Sequence, residues 1–169
     1  MWRLWARKPV FVYPVPPAPK SAVLSSVFRR RGAVRIFDPA QAGWRDAVRA
    51  FAPGAVAGTL EQLETLAGVV ELTHAAIVLR SESDPRLTEA ERERLWRAFH
   101  VPAFEQILAA DGTLLAAECE AHEGLHIASP RLLPPADQIN PAPCPCGRPG
   151  ARLFSAEGRS RAIAAGKTI

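Results

Sequence analysis

Three segments of the chain place apolar residues at the spacing of an amphipathic helix. They are AGWRDAVRAFAPG, GTLEQLETLAG and LTEAERERLWRAFH, residues 42–54, 58–68 and 87–100. The third carries the clearest signals, because Thr88 and Glu91 form a capping box at its start and Leu95, Trp96 and Phe99 fall on one side of it. The pattern therefore predicts three helices, with these three apolar side chains buried in the last.

Shorter apolar runs predict strands in two groups. The first group is RRRGAVRIFDP and HAAIVLRSE, residues 29–39 and 74–82, which alternate with the predicted helices. The second group is PAFEQIL, TLLAAECE and GLHIAS, residues 102–108, 113–120 and 124–129. Asp111-Gly112 separates two of these runs and predicts a hairpin turn. Alternating elements followed by clustered strands predict an α/β fold: a mixed sheet flanked by helices, with a small antiparallel lobe at its end.

The chain is expected to form a single domain with tails, because 169 residues are enough for one core and too few for two ordinary domains. We predict that residues 1–28 are a proline-rich N-terminal arm and residues 29–129 are the α/β domain. Residues 130–169 are predicted to be a proline-rich loop with a Cys-x-Cys knuckle and a short C-terminal tail.

Composition narrows the compartment and the partners. The net charge of +4 comes mostly from arginine, and no basic stripe interleaved with aromatic residues occurs, so we expect no nucleic-acid partner. No run approaches the roughly 18 apolar residues that a membrane helix needs, and prolines interrupt the N-terminal apolar run before it reaches secretory length. We therefore expect a cytoplasmic protein without a membrane contact, in which the three cysteines stay reduced.

The cysteines and two of the four histidines fall in two short segments. Cys119-x-x-His122 is one pair of potential metal ligands, and Cys144-Pro-Cys146 is the other. Structural zinc takes four tetrahedral thiolate and imidazole ligands, often as two close pairs. The spacing predicts that these four residues hold a structural zinc ion, with His126 as the alternative to His122. Buried thiols beside unrelated histidines are the competing interpretation.

The order of these motifs resembles one family. LTEAERERLWRAFHVPAFEQ, then AAECEAHEGLHI, then CPCGRPGARLFSAEGR is similar to the phenylacetate CoA ligase branch of the adenylate-forming enzymes. That branch has a helix of the T-x-x-x-R kind, a tyrosine-glycine-x-threonine/serine-glutamate motif, E-C-x-x-H-x-G-L-H-I and a later C-x-C-G-R. The resemblance covers roughly residues 30 to 160. It implies part of the large N-terminal domain of those enzymes and a zinc ion at the same cysteines and histidine.

The chemical motifs of that family are altered or missing. Ile107 stands where the resemblance implies an aromatic residue against adenine, Ala110 where a hydroxyl contacts phosphate, and Asp111 where a glutamate holds Mg²⁺. Asp is one methylene shorter than Glu, which Mg²⁺ geometry tolerates poorly. A glycine-rich phosphate loop, a ribose-binding aspartate and a catalytic lysine segment are also lacking in this sequence. We therefore expect no nucleotide cofactor.

These features predict a non-catalytic zinc-binding scaffold or protein-interaction domain, a reduced and degenerate relative of phenylacetate CoA ligase. A protein partner or self-association is expected to cover the surface that lost lobes once covered. The alternative is an enzyme: a subunit of a split adenylate-forming CoA ligase, or a chain with altered chemistry. A nucleophile with an evident base is not found in the sequence, apart from Cys119 beside His122 or His126.

Overall fold

The computed structural model describes residues 8–15 and 17–154 of the chain. Within them the strands form one mixed nine-stranded sheet. In chain order the strands are β1 (Ser21–Val23), β2 (Val34–Ile36), β3 (Ala55–Gly58), β4 (Ala75–Ser81), β5 (Ala103–Leu108), β6 (Leu114–Glu118), β7 (Leu125–Ile127), β8 (Ile139–Asn140) and β9 (Arg152–Leu153). Their order across the sheet is β2-β1-β3-β4-β5-β6-β7-β9-β8. The first five strands are parallel and the remaining pairings are antiparallel. The predicted mixed α/β sheet with an antiparallel lobe is therefore observed.

The parallel half contains apolar strands joined by helical crossovers. The helices are α1 (Trp44–Phe51), α2 (Leu60–Glu64) and α3 (Glu89–Phe99), all three of them at predicted positions. Strand β3 was not predicted, because its four residues, AVAG, lie between two proline- or glycine-marked turns and show no alternation. All four are buried, as expected of a central parallel strand.

Helix α3 confirms its predicted start but not its whole predicted face. Thr88 Oγ1 accepts from the Glu91 backbone N–H, and Glu91 Oε2 accepts from the Thr88 N–H at 2.7 Å, so the capping box is formed. Leu95 and Phe99 are buried against the sheet, whereas Trp96 is 51% exposed. The prediction for Trp96 is wrong, because the buried face of α3 follows Leu95 and Phe99, four residues apart, and does not include the position next to Leu95.

The three helices pack on one face of the parallel strands, and the N-terminal segment covers the other. Phe11 is buried on that second face, with its ring 5.7 Å from Phe28 in an edge-on arrangement. The carbonyl of Val12 accepts from Gln106 Nε2 at 2.8 Å. The segment is therefore part of the domain's packing, and β1, which lies inside the predicted arm of residues 1–28, is an interior strand of the sheet.

The antiparallel half begins at the predicted hairpin. Ala109 N–H donates to the Thr113 carbonyl, and Gly112 has a φ of +82°, a left-handed conformation that glycine adopts without strain. Asp111 Oδ1 accepts from the Thr113 N–H at 2.9 Å, which closes the turn between β5 and β6. The hairpin prediction is confirmed.

The predicted C-terminal loop is also joined to the sheet. Strands β8 and β9, within the predicted segment 130–169, extend the antiparallel half beyond β7. They were missed because two-residue strands among prolines leave no periodic signal. The last part of the predicted tail, residues 155–169, lies outside the described residues. None of the helices in the described part is both long and apolar enough to cross a bilayer.

Candidate metal centre

Three cysteines and one histidine meet in the antiparallel lobe. The ligand atoms of Cys119, His126, Cys144 and Cys146 all lie within 4.8 Å of one another. Cys119 Sγ is 3.6 Å from Cys144 Sγ, and Cys146 Sγ is 3.3 Å from His126 Nε2. The two segments singled out by their spacing therefore converge on one point.

The sheet places two of these residues and a tight turn places the others. Cys119 follows β6 directly, and His126 is the middle residue of β7, opposite Ala117 of β6. In the Cys-Pro-Cys-Gly turn, the Gly147 N–H donates to the Cys144 carbonyl at 3.0 Å, and Gly147 has a φ of +76°. This glycine conformation lets the chain reverse immediately after the second cysteine.

A buried arginine fixes the loop that carries the Cys-x-Cys turn. Arg152 in β9 is 1% exposed. Its Nη1 donates to the Glu123 carbonyl at 2.7 Å, and its Nη2 donates to the Ala142 carbonyl at 3.1 Å. Arg152 thus ties the turn before β7 to the segment just before Cys144. The same side chain therefore positions both segments that contribute residues to the cluster.

The distances in the cluster can be compared with those of a tetrahedral site. With Zn–S bonds of about 2.3 Å and Zn–N bonds of about 2.0–2.1 Å, ligand atoms at the corners of a tetrahedron lie about 3.5–3.8 Å apart. The Cys119–Cys144 and Cys146–His126 distances of 3.6 and 3.3 Å are close to those edges, and all the ligand atoms lie within 4.8 Å of one another. The three thiols are free, and a disulfide would require about 2.05 Å between sulfurs. The group could therefore hold a metal ion.

Protonation in the cluster follows from burial and from hydrogen bonds. Burial raises the pKa of Cys119 to about 12. Burial also acts against ionisation of Cys144, but hydrogen bonds from the backbone and side chain of Cys146 outweigh it and lower the Cys144 pKa. The pKa of His126 is lowered, first by burial and then by the charge of Arg148. A neutral imidazole beside three thiols is a donor set suited to a divalent cation, which would bind the deprotonated thiolates.

His122 lies outside this group, although it was the preferred fourth ligand. Its Nδ1 is 3.0 Å from Glu118 Oε1, and its ring stacks on Phe104 with centroids 4.8 Å apart. The His122 N–H donates to the Cys119 carbonyl, and His122 has a φ of +52°. This tight turn directs the imidazole toward Phe104, so the structure brings the alternative, His126, to the three cysteines.

Glu118 is the centre of a buried polar network that the sequence did not reveal. It is 1% exposed, and its Oε2 accepts from Arg92 Nη2 at 3.0 Å and from the Glu105 N–H at 2.9 Å. The Glu105 carboxylate in turn accepts from Arg86 Nε at 3.1 Å. These contacts link α3 to β5 and β6 directly beside Cys119. An acid at the end of the apolar run LLAAE was the only available signal.

The three motif positions of the family resemblance form ordinary structure. Ile107 is 4% exposed within β5. Ala110 and Asp111 belong to the exposed hairpin turn, where Asp111 pairs with Arg131 at 2.9 Å. Hydrogen bonds from Thr113 and then from Arg131 hold the pKa of Asp111 far below its usual range. The Asp111 carboxylate is therefore already engaged within the turn.

A cleft of 910 Å³ opens where the parallel strands end. Ser25 and Ser26 follow β1, Arg80 is near the end of β4, and Ala110 and Arg131 line the side nearest the hairpin. Strands β2 and β3 lie on either side of β1, so the strand order reverses here. In open α/β sheets, ligands bind outside the carboxyl ends of the strands at such a reversal.

Comparison with known proteins shows a likeness of fold. No protein-family model matches the chain, and no curated protein sequence does. A solved structure titled an open conformation of 2-hydroxyisobutyryl-CoA ligase in complex with 2-HIB-AMP and CoA is similar, with a TM-score of 0.57 and 13% identity. The match covers 79% of this chain and 43% of that one, so the chain spans less than half the length of that ligase. The likeness shows that this chain shares the fold of part of that ligase.

Proposed function

We propose that this chain is a non-catalytic scaffold or protein-interaction domain whose antiparallel lobe is held together by a structural zinc ion. Cys119, His126, Cys144 and Cys146 would be the ligands, and their convergence within 4.8 Å is the observation that carries the proposal. Four protein ligands leave no open position on zinc for water or substrate. The ion would therefore contribute folding free energy rather than Lewis-acid chemistry.

The location of the cluster explains why this lobe would need an ion. Strands β7, β8 and β9 contain two or three residues each, and such short pairings are marginal without further support. Cys119 directly follows β6 and His126 is in β7, whereas Cys144 and Cys146 precede β9. One ion would join these otherwise weakly connected segments. Reduced thiols are a condition of this role, and a cytoplasmic location would satisfy it.

The two histidines provide a matched test of the ligand set. Zinc affinity is measured by competition with a chromophoric chelator for the parent protein, His126→Gln and His122→Gln. Losing a ligand should weaken binding by at least about tenfold in His126→Gln, since even outer-shell changes cost about 10–100-fold. His122→Gln should change the affinity by less than about threefold. If His122→Gln weakened zinc binding more than His126→Gln, the fourth ligand would be His122 instead.

The non-catalytic part of the proposal rests on the family motif positions. A buried Ile107 and a turn built by Asp111 leave the hairpin without an aromatic platform or a free Mg²⁺ carboxylate. A reduced, degenerate chain from the phenylacetate CoA ligase branch would have this pattern. Exposed apolar side chains also suit a protein partner or self-association, since Val12, Trp96 and Leu133 are 54%, 51% and 85% exposed.

The cleft at the carboxyl ends of the strands favours a second candidate, a subunit of a split acid CoA ligase. Its lining includes the hydroxyls of Ser25 and Ser26 and the guanidinium of Arg80. Titration calorimetry with ATP and Mg²⁺ separates the two functions. The scaffold predicts no heat of binding for this chain. ATP binding that is lost in Arg80→Gln would favour the split enzyme instead.

A further inference from the structure

The cations of this chain fall into two groups with different partners. All eight arginines between residues 80 and 152 form an ion pair with a carboxylate. Of the eight Lys and Arg in the described residues before residue 50, only Arg49 does so, with Asp46 at 2.9 Å. The other seven are all exposed: Lys8, Lys20, Arg29, Arg30, Arg31, Arg35 and Arg45.

The sequence shows the same division of charge. Residues 1–50 contain ten Lys and Arg against two acidic residues, whereas the rest of the chain contains eleven against fifteen. If the arginines reflected composition alone, we would expect arginines and acidic residues to be distributed in similar proportions along the whole chain. Only Asp38 and Asp46 are acidic among the first fifty residues, so the small number of carboxylates near the first group needs its own explanation. Seven clustered positive charges repel one another in the isolated protein, and an anionic partner would remove that repulsion.

These cations surround the β2 edge of the sheet, at the end opposite the metal centre. Arg29, Arg30 and Arg31 directly precede β2 in the chain. Arg35, within β2, lies over the ring of Phe51 at 5.6 Å, and Lys20 lies over the same ring at 4.4 Å. These cations therefore lie on or next to strand β2 and helix α1, and we call this region the β2-edge surface.

Two adjoining depressions cross the β2-edge surface. One, of 420 Å³, is lined by Lys8, Arg35 and Asp38. The other, of 570 Å³, is lined by Arg45 and by the Arg49–Asp46 ion pair. Trp44 is half-buried and lines both. An aromatic ring with cations on both sides is the arrangement that binds single-stranded nucleic acid, because bases stack on the ring and phosphates lie against the cations.

We propose that the β2-edge surface binds single-stranded nucleic acid, with Trp44 as the base-stacking residue and the unpaired cations as phosphate contacts. This proposal differs from the sequence-based expectation of no nucleic-acid partner, which the binding experiment below tests. That expectation was based on the absence of a linear basic and aromatic stripe, whereas the fold assembles one from β1, β2 and α1. Arginine is the main cation here, and its planar fork suits phosphate oxygens.

Matched charge variants test the surface. A fluorescein-labelled 20-nucleotide single-stranded DNA of mixed sequence is titrated with the full chain at low salt, and anisotropy is recorded. Arg30→Gln, Arg31→Gln and Arg45→Gln together should weaken binding at least tenfold. The control removes the same charge from ion-paired arginines on the rest of the surface: Arg94→Gln, Arg97→Gln and Arg131→Gln. We expect the control to change affinity by less than threefold.

Salt dependence provides a second reading of the same variants. For single strands, log K falls against log salt with a slope of about −0.7 for each phosphate contact. Loss of three contacts should therefore flatten the slope by about 2, whereas the control should leave it unchanged. Equal affinities or equal slopes for the two triple variants would overturn the proposal.

The Trp44→Leu variant tests whether the ring stacks on the bases of a single strand. Trp44→Leu keeps an apolar side chain at the start of α1 and should lose at least fivefold in affinity for the single strand, while binding of duplex DNA of the same sequence should change less than twofold. A melting curve like that of the parent shows that the variant is folded.

Competitors identify the class of partner. If polyglutamate of equal charge competes as well as the oligonucleotide, or if anionic phospholipid vesicles do, the surface has another partner and the proposal is wrong. Absence of oligonucleotide binding at low salt would also overturn it.

Discussion

His126 Nε2 lies 3.3 Å from Cys146 Sγ, although twenty residues separate them in the chain. His122, closer to Cys119 in sequence, is directed instead to Glu118 and Phe104. The difference arises because His126 is on a strand whose pairing carries it toward β9, whereas His122 is in a tight turn. Proximity in sequence was therefore a poor guide to the fourth residue of the cluster.

Two carboxylates pair with Arg92, and the buried one, of Glu118, should contribute far more to stability than the exposed one, of Glu89. Glu118→Gln removes the negative charge that compensates Arg92, and breaking a buried pair from one side costs about 3–5 kcal/mol. Glu89 also pairs with Arg92, at 3.7 Å, but its side chain is 64% exposed. Glu89→Gln should cost less than about 0.5 kcal/mol. Denaturant unfolding of both variants measures the difference, and similar losses would contradict the network.

Removing Arg152 should loosen the metal lobe while leaving the parallel strands intact. Arg152→Met keeps most of the aliphatic volume but removes the hydrogen bonds to the carbonyls of Glu123 and Ala142. A hydrogen bond from a charged group contributes about 1.5–3 kcal/mol. Amide hydrogen exchange should accelerate in β7 and β9 with little change in β3 and β4. Uniform acceleration across the sheet would show instead that the lobe and the parallel strands unfold as one unit.

Two glycines with similar backbone angles should respond differently to alanine. Gly112 and Gly68 have φ values of +82° and +72°, so Ala introduces about 1–2 kcal/mol of strain at either position. A Cβ at Gly112 would also overlap Val27 and lie 2.8 Å from Pro9, whereas a Cβ at Gly68 meets nothing within 4 Å. Gly112→Ala should therefore lower the free energy of unfolding by at least about 1 kcal/mol more than Gly68→Ala. Equal losses would mean that the N-terminal segment does not pack against the hairpin.

The capping box of α3 should make stability depend on pH. Burial acts to raise the pKa of Glu91, but hydrogen bonds from Thr88 and the charge of Arg80 outweigh it, so the folded-state pKa lies below the ordinary 4.5. A depressed pKa stabilises the folded state above about 4.5, and this contribution disappears as the pH falls through the folded-state value. Glu91→Gln keeps an oxygen that can accept from the Thr88 N–H, as Gln62 does for Thr59 in α2, but it loses the charge that pairs with Arg80 at 3.2 Å. It should therefore be about 0.5–1 kcal/mol less stable than the parent at neutral pH.

That difference should shrink below pH 4.5, measured by urea unfolding across the range. Glu93→Gln is the control, because Glu93 is on the same helix but 54% exposed and paired only with Arg97 among the described residues. A stability gap for Glu91→Gln that is constant with pH would contradict the contribution of the ionised Glu91 carboxylate.

Much of the fold was predictable where local signals were strong. The capping box located the start of α3, and Asp111-Gly112 located the hairpin. The strands β3, β8 and β9 were missed because two to four residues without alternation are too short for a periodic pattern. Strand β1 was missed because its three residues follow a proline-rich segment, and its identity as a strand depends on neighbours distant in sequence.

The candidate site was predictable in its composition but not in its geometry. Unusual clustering of Cys119, Cys144 and Cys146 was visible in the sequence. The choice between His122 and His126 depended on which of them lies on a paired strand, and spacing does not encode this. Arg152 showed no signal of its burial, because arginine is mostly exposed and its acceptors are backbone carbonyls.

The most direct test of the central claim is the metal content of the purified full chain, with melting curves in the presence and absence of a chelator. We expect about one zinc ion per chain and a melting temperature that falls sharply when the chelator removes it. Cys144→Ser should retain little zinc and melt near the chelated parent. A metal-free protein whose melting is unaffected by the chelator and by Cys144→Ser would contradict the structural zinc centre.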